Sequence, residues 1–72
     1  MKDTPWSGRA LKLRRTIADL TQQELADALG VSDGTVSAWE TEGREPDDAS
    51  LKKLARALGC KPMDFFREVE VR

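Results

Sequence analysis

The chemistry open to this 72-residue chain is narrowed first by what it lacks. It holds no histidine and a single cysteine, Cys60. Ser-His-Asp and Cys-His nucleophiles are thereby excluded, as are a disulfide framework and the usual cysteine or histidine zinc sites. No glycine-rich loop followed by lysine is present to cradle a nucleotide phosphate. An enzyme is not expected, nor a metal or a cofactor. What remains is a set of short polar side chains around two helix starts, Thr21-Gln22 and Ser32. Between Asp33 and Thr41, the face opposite the apolar stripe of Val36 and Trp39 shows Asp33, Gly34, Thr35, Ser37, Ala38 and Thr41. A helix with one apolar stripe and an opposite face of short groups can lie close against another surface.

The elements that must carry these groups are helical throughout, because apolar residues recur at spacings of three and four. Trp6, Ala10, Leu13, Ile17 and Leu20 line one face of a first helix, with Thr4 as its cap and Pro5 at its first position. Thr21-Gln22-Gln23-Glu24 is a capping box opening a second helix, which turns Leu25, Ala28 and Leu29 inward and stops at Gly30. Only Val31 separates Gly30 from Ser32, the cap of a third helix, so the corner between them is about three residues. Gly43-Arg44-Glu45-Pro46 is a loop, after which Asp47 or Asp48 caps a fourth helix with Leu51, Leu54, Ala55 and Leu58 in its core stripe and Gly59 at its end. Lys61-Pro62 opens a short fifth helix over about 62–69, carrying Met63, Phe65, Phe66 and Val69. The expected architecture is one all-α domain over residues 1–72, a five-helix bundle whose helix-turn-helix occupies about 21–41. A chain this short has room for one core, and no stretch approaches the ~20 consecutive apolar residues of a membrane span. The N-terminus has no apolar block like that of a secretory signal, and with the lone cysteine this points to a cytoplasmic, nucleoid-associated protein.

Residues 8–66 resemble the phage-repressor and Cro family (XRE-like) of helix-turn-helix domains. The resemblance rests on Leu20-Thr21-Gln22-Gln23-Glu24-Leu25-Ala26, Ala28-Leu29-Gly30-Val31-Ser32 and Thr35-Val36-Ser37-Ala38-Trp39-Glu40. Arg44-Glu45-Pro46 and Leu54-Ala55-Arg56-Ala57-Leu58-Gly59 extend it in the same order and spacing. The resemblance implies a lambda-repressor-like fold and sequence-specific binding to duplex DNA as a small repressor-type regulator. It implies that Gln22 contacts a phosphate at the edge of the major groove, and that Asp33, Gly34 and Ala38 stand where base edges are read. Thr35, Ser37, Thr41 and Arg44 take sugar-phosphate positions. Helix N-termini suit phosphate oxygens, and Thr21, Gln22, Ser32 and Thr35 can add neutral hydrogen bonds there. Glu40 matches an acid that pairs with an arginine of the first helix, here Arg14 or Arg15. An ungapped match from Thr21 selects Arg15. The apolar register of the first helix favours Arg14, because the alternative exposes Leu13 and Ile17.

Charge sets this chain apart from a typical nucleic-acid binder. The formal net charge is −1. Between Thr16 and Leu51 there are nine acids and one base, Arg44. Non-specific affinity comes mostly from Lys and Arg releasing counterions, so it should be weak here. Asp33 and Gly34 stand where many relatives carry Gln or Arg; Asp33 either accepts from a cytosine N4 amine or repels phosphates. The acidic middle also fits a second reading, an antitoxin or protein-interaction module whose partner is a protein such as a toxin. The fifth helix has two apolar directions, Met63 with Phe66 and Phe65 with Val69, and the pair Phe65 and Val69 is the expected contact of a two-fold homodimer.

Overall fold

A computed structural model describes residues 6–66. Its elements are α1 (Gly8–Ile17), α2 (Gln22–Leu29), α3 (Asp33–Thr41) and α4 (Asp48–Leu58), followed by a 3-10 turn over Pro62–Phe65. Among the described residues the architecture is therefore four α-helices and one tight turn, in place of five helices. The turn stops where it does because Phe66 becomes extended (φ −99°, ψ 140°) and forms an isolated antiparallel bridge with Trp6. The Ser7 N–H donates to the Phe65 carbonyl at 2.8 Å, closing the same join. The remainder of the expected fifth helix, Val69 included, lies outside the described residues.

Each helix starts on a side chain that accepts from its first turn, satisfying an N–H that has no partner within the helix. Ser7 accepts from Ala10 N–H, Thr21 from Glu24, Ser32 from Thr35 and Asp47 from Ser50. At Thr21 the box is complete, since the Glu24 side chain accepts the Thr21 N–H at 2.9 Å. Gly30, at φ +76°, ends α2 in the left-handed region that a side chain disfavours, and this sets the sharp corner into α3.

The first helix departs from its expected register. It is capped by Ser7 and begins at Gly8, so Trp6 precedes it and does not share its periodicity. Thr4 and Pro5, expected to open it, lie outside the described residues. The face turned inward is Gly8, Leu11 and Arg15, spaced i, i+3 and i+7, while Leu13 is 59% and Ile17 69% exposed. The cause is contact with α3. A Cβ added at Gly8 would stand 2.3 Å from the Glu40 carbonyl oxygen and 2.5 Å from that of Trp39, so α1 crosses α3 with backbone against backbone at that point. The Trp6 indole N–H donates to the same Trp39 carbonyl at 3.0 Å. Leu20, the last residue of the expected stripe, follows a turn in which Asp19 takes φ +62° and still packs against the core.

The core is Trp6, Leu11, Leu25, Ala26, Leu29, Val36, Trp39, Leu54, Ala55 and Phe65. Ala28, expected inside, is exposed, and Ala26 takes the inward place. Phe65 is fully buried and lies 5.9 Å from the Trp6 ring, so it is a core residue and not a dimer contact. Phe66 meets Trp6 edge to face at 5.9 Å. Cys60 packs against the core, where burial pushes its thiol pKa up.

Candidate nucleic-acid interface

Two helix N-termini and the exposed side of α3 make the candidate surface. Ser32, Asp33, Gly34 and Thr41 are exposed, and Thr35 and Ser37 are half-exposed along the same helix, while Val36 and Trp39 hold it to the core. Their hydroxyls are paired locally in a way that leaves the helix surface smooth. The Ser32 and Thr35 hydroxyls are 3.0 Å apart, and the Thr41 hydroxyl donates back to the Ser37 carbonyl at 2.8 Å. Such neutral, exposed hydrogen bonds contribute only about 0.5–1.5 kcal/mol each and exchange readily for a ligand's oxygen.

Ala38 departs from its expected place. It is buried. The Glu42 and Arg44 N–H groups both donate to the Ala38 carbonyl, at 2.9 and 3.4 Å. Ala38 is therefore removed from the open face, and the same two bonds bring the exposed Arg44 beside the C-terminal end of α3.

Behind the surface lies a polar cluster that fixes the two helices. Glu40, with 1% of its side chain exposed, accepts from Arg15 Nε at 2.6 Å and Nη2 at 3.2 Å. Arg15, not the Arg14 that the apolar register favoured, is the partner, because Gly8 and Leu11 turn the Arg15 side of α1 toward α3. Arg14 instead approaches Asp64 at 3.7 Å on the other flank of α1. Arg15 Nη1 also donates to the Leu20 carbonyl at 2.8 Å, and Gln22 Nε2 donates to Glu40 Oε1 at 3.0 Å. Because a carboxylate only accepts, the Gln22 amide must turn its NH2 toward Glu40, leaving one further N–H and the amide oxygen uncommitted to that bond. An open groove of about 410 Å³ beside this point is lined by Arg15, Leu20, Thr21 and Gln22 among others.

The structure thus gathers Thr21 and Gln22 at the start of α2 and Ser32, Asp33, Gly34 and Thr35 at the start of α3, with Ser37 and Thr41 continuing the second set. Among the described residues no cluster of Cys, Asp or Glu is arranged to hold a metal ion.

Residues 11–66 match the helix-turn-helix family. The chain belongs to that family. The repressor protein C2 of Salmonella phage P22 is 33% identical over 60 residues, covering 83% of this chain and 28% of that protein. The transcriptional regulator DicA of Escherichia coli is 38% identical over 55 residues, covering 76% of this chain and 41% of that one. The matched segment therefore covers less than half the length of either relative. Among solved structures, the P22 c2 repressor bound to a synthetic operator superposes with a TM-score of 0.77 at 32% identity, covering 82% of this chain and 89% of that one. Hydroxypropylphosphonic acid epoxidase from S. wedmorenis superposes at 0.82 and 29% identity, over 94% of this chain but 38% of the enzyme.

Proposed function

We propose that this helix-turn-helix domain binds duplex DNA sequence-specifically as a repressor-type transcription regulator, with α3 in the major groove and α2 crossing the backbone. The observation that carries the reading is the corner itself: α3 is held by Val36 and Trp39 while Asp33, Gly34, Thr35, Ser37 and Thr41 stay open to solvent on one side. An α-helix of this kind fits the major groove, and the N-terminal residues of the second helix of such a corner reach base edges. The N-termini of α2 and α3 suit phosphate oxygens, with Thr21, Gln22, Ser32 and Thr35 supplying neutral bonds and Arg44 the charged one. The operator complex of the P22 c2 repressor, similar over most of this chain, supports the same docking. Such a regulator works in the cytoplasm, and among the described residues no helix is long and apolar enough to cross a membrane. A homodimer reading two half-sites about one helical turn apart is part of the proposal, since it doubles a contact that charge alone leaves weak.

Selection of bound sequences from random duplexes at low salt tests it. A recovered palindrome with a shallow salt dependence is the expected result. No enrichment, with a tight protein partner instead, supports the alternative that the exposed acids Asp33, Glu42, Asp47 and Asp48 serve a toxin-type or other protein partner.

A further inference from the structure

We infer that Asp33 is the specificity-determining residue of this interface and that it selects a cytosine, an inference that rests on the DNA-binding reading above. Three features of the structure lead there. First, the helix does not need the Asp33 side chain as a cap: Ser32 holds that position, accepting the Thr35 N–H at 3.2 Å. Secondly, the Asp33 carboxylate is exposed and makes no hydrogen bond or ion pair among the described residues, so all of its acceptor sites face outward. Glu40, the other acid of α3, is buried and paired with Arg15. Thirdly, α3 carries no arginine, lysine, asparagine or glutamine, and the nearby Gln22 and Gln23 amides donate to Glu40 and Asp27. The position after Asp33 is Gly34, where an added Cβ would meet only the Ser32 hydroxyl at 3.8 Å, so position 34 has no side chain of its own to compete for the base.

A carboxylate only accepts, and the major groove offers donors at two atoms, cytosine N4 and adenine N6. The two are not equivalent. Adenine N6 lies between the acceptors adenine N7 and thymine O4, whereas cytosine N4 lies at the edge of its pair with one acceptor, guanine O6, beside it. A negative charge is repelled from both sides in the first case and from one in the second. Guanine and thymine present only acceptors to it. Cytosine is the base left.

The experiment is selection from random duplexes with the wild-type chain, Asp33→Asn and Asp33→Ala, each checked for folding by thermal melting. The wild type should show cytosine at one position of each half-site. Asp33→Asn, whose amide both donates and accepts, should show adenine there, and Asp33→Ala no preference, with the other positions unchanged. Replacing that C·G pair by T·A should weaken wild-type binding on the order of tenfold and leave Asp33→Ala binding within about twofold. An operator read identically by all three proteins overturns this inference and leaves DNA binding standing, as does a wild-type preference for another base at the position Asp33 controls. A wild type that enriches no sequence overturns both.

Discussion

Arg15 and Glu40 meet through two hydrogen bonds, Nε to Oε2 at 2.6 Å and Nη2 to Oε1 at 3.2 Å, across 25 positions of chain. The pair does more than join α1 to α3. Through Nη1, Arg15 also holds the Leu20 carbonyl at the end of the α1–α2 turn, and Glu40 holds the Gln22 amide at the start of α2. One buried carboxylate therefore sets the position of α2's first turn relative to α3, which is the geometry that a groove-binding corner needs.

Breaking this pair from one side should cost about 3–5 kcal/mol, because it strands a buried charge. Arg15→Ala and Glu40→Ala are both expected to show that loss in urea unfolding. Arg15→Lys should recover little of it, since an ammonium lacks the planar fork that reaches Glu40 and the Leu20 carbonyl together. Arg14→Ala removes a partly exposed pair at 3.7 Å and should change stability by less than about 1 kcal/mol. Equal losses at Arg14 and Arg15 would refute the assignment.

The register of α1 makes a second contrast. Leu11 has no exposed surface, so Leu11→Ala should cost about 2–5 kcal/mol. Leu13→Ala and Ile17→Ala touch exposed positions and should stay within about 0.5 kcal/mol. Thermal melts of the three variants settle the matter, and a large loss at Leu13 would mean that the helix is rotated from the face described.

That register is also where the sequence was hardest to read. Caps, the Gly30 corner and the Val36–Trp39 stripe were legible because they depend on neighbours within a few residues. The inward face of α1 depends on Gly8, whose fit against the Trp39 and Glu40 carbonyls is a contact between parts of the chain 31 and 32 residues apart. Hydrophobic periodicity favours Leu13 and Ile17 over a stripe of glycine, leucine and arginine. The family spacing from Thr21 to Arg15 held the better signal. Phe65 misled for a related reason: an apolar residue on a short terminal segment reads equally as core or interface until Trp6 is placed against it. In the candidate site, Thr21, Gln22 and Ser32 to Thr35 were legible as helix starts, but nothing local revealed that Gln22 is bound to Glu40.

The two glycines of the helix surfaces should respond in opposite directions to alanine. Gly8→Ala places a methyl group within 2.3–2.8 Å of α3 backbone atoms that have no flexible end to move, and should destabilise by about 1–3 kcal/mol. Gly34→Ala meets only the Ser32 hydroxyl at 3.8 Å, an ordinary van der Waals contact, and should stabilise α3 by about 0.5–1 kcal/mol. Melting temperatures moving the same way in both variants would contradict the packing described at Gly8.

Asp47 gives a pH signature. Its carboxylate accepts the Ser50 N–H at 2.9 Å, and that backbone hydrogen bond holds its pKa below the ordinary value of 3.8. A pKa lowered by folding contributes stability above the unfolded value and loses it as pH falls through the folded one. Asp47→Asn keeps a neutral acceptor and removes the charge. The melting temperature of the wild type should exceed that of Asp47→Asn at pH 7, with the gap closing as pH drops below 3.8. A gap that persists unchanged at pH 2 would show that the charge plays no part in the cap.

DNA binding should divide into a charged and an uncharged share at Arg44 and Gln22. Arg44 is the single base between Thr16 and Leu51, and it is exposed beside the end of α3. If it neutralises one phosphate, Arg44→Ala should weaken binding and reduce the steepness of log K against log salt by about 0.9. In the proposed complex Gln22 would offer a phosphate a neutral N–H, so Gln22→Ala should weaken binding by about 0.5–1.5 kcal/mol while leaving that slope unchanged. Because Gln22 also donates to Glu40, its loss should lower stability slightly as well, which a melt separates from the loss of affinity. Fluorescence anisotropy of a labelled operator across a salt series measures both quantities. Two variants with wild-type affinity and slope would mean that the corner between α2 and α3 does not face the duplex.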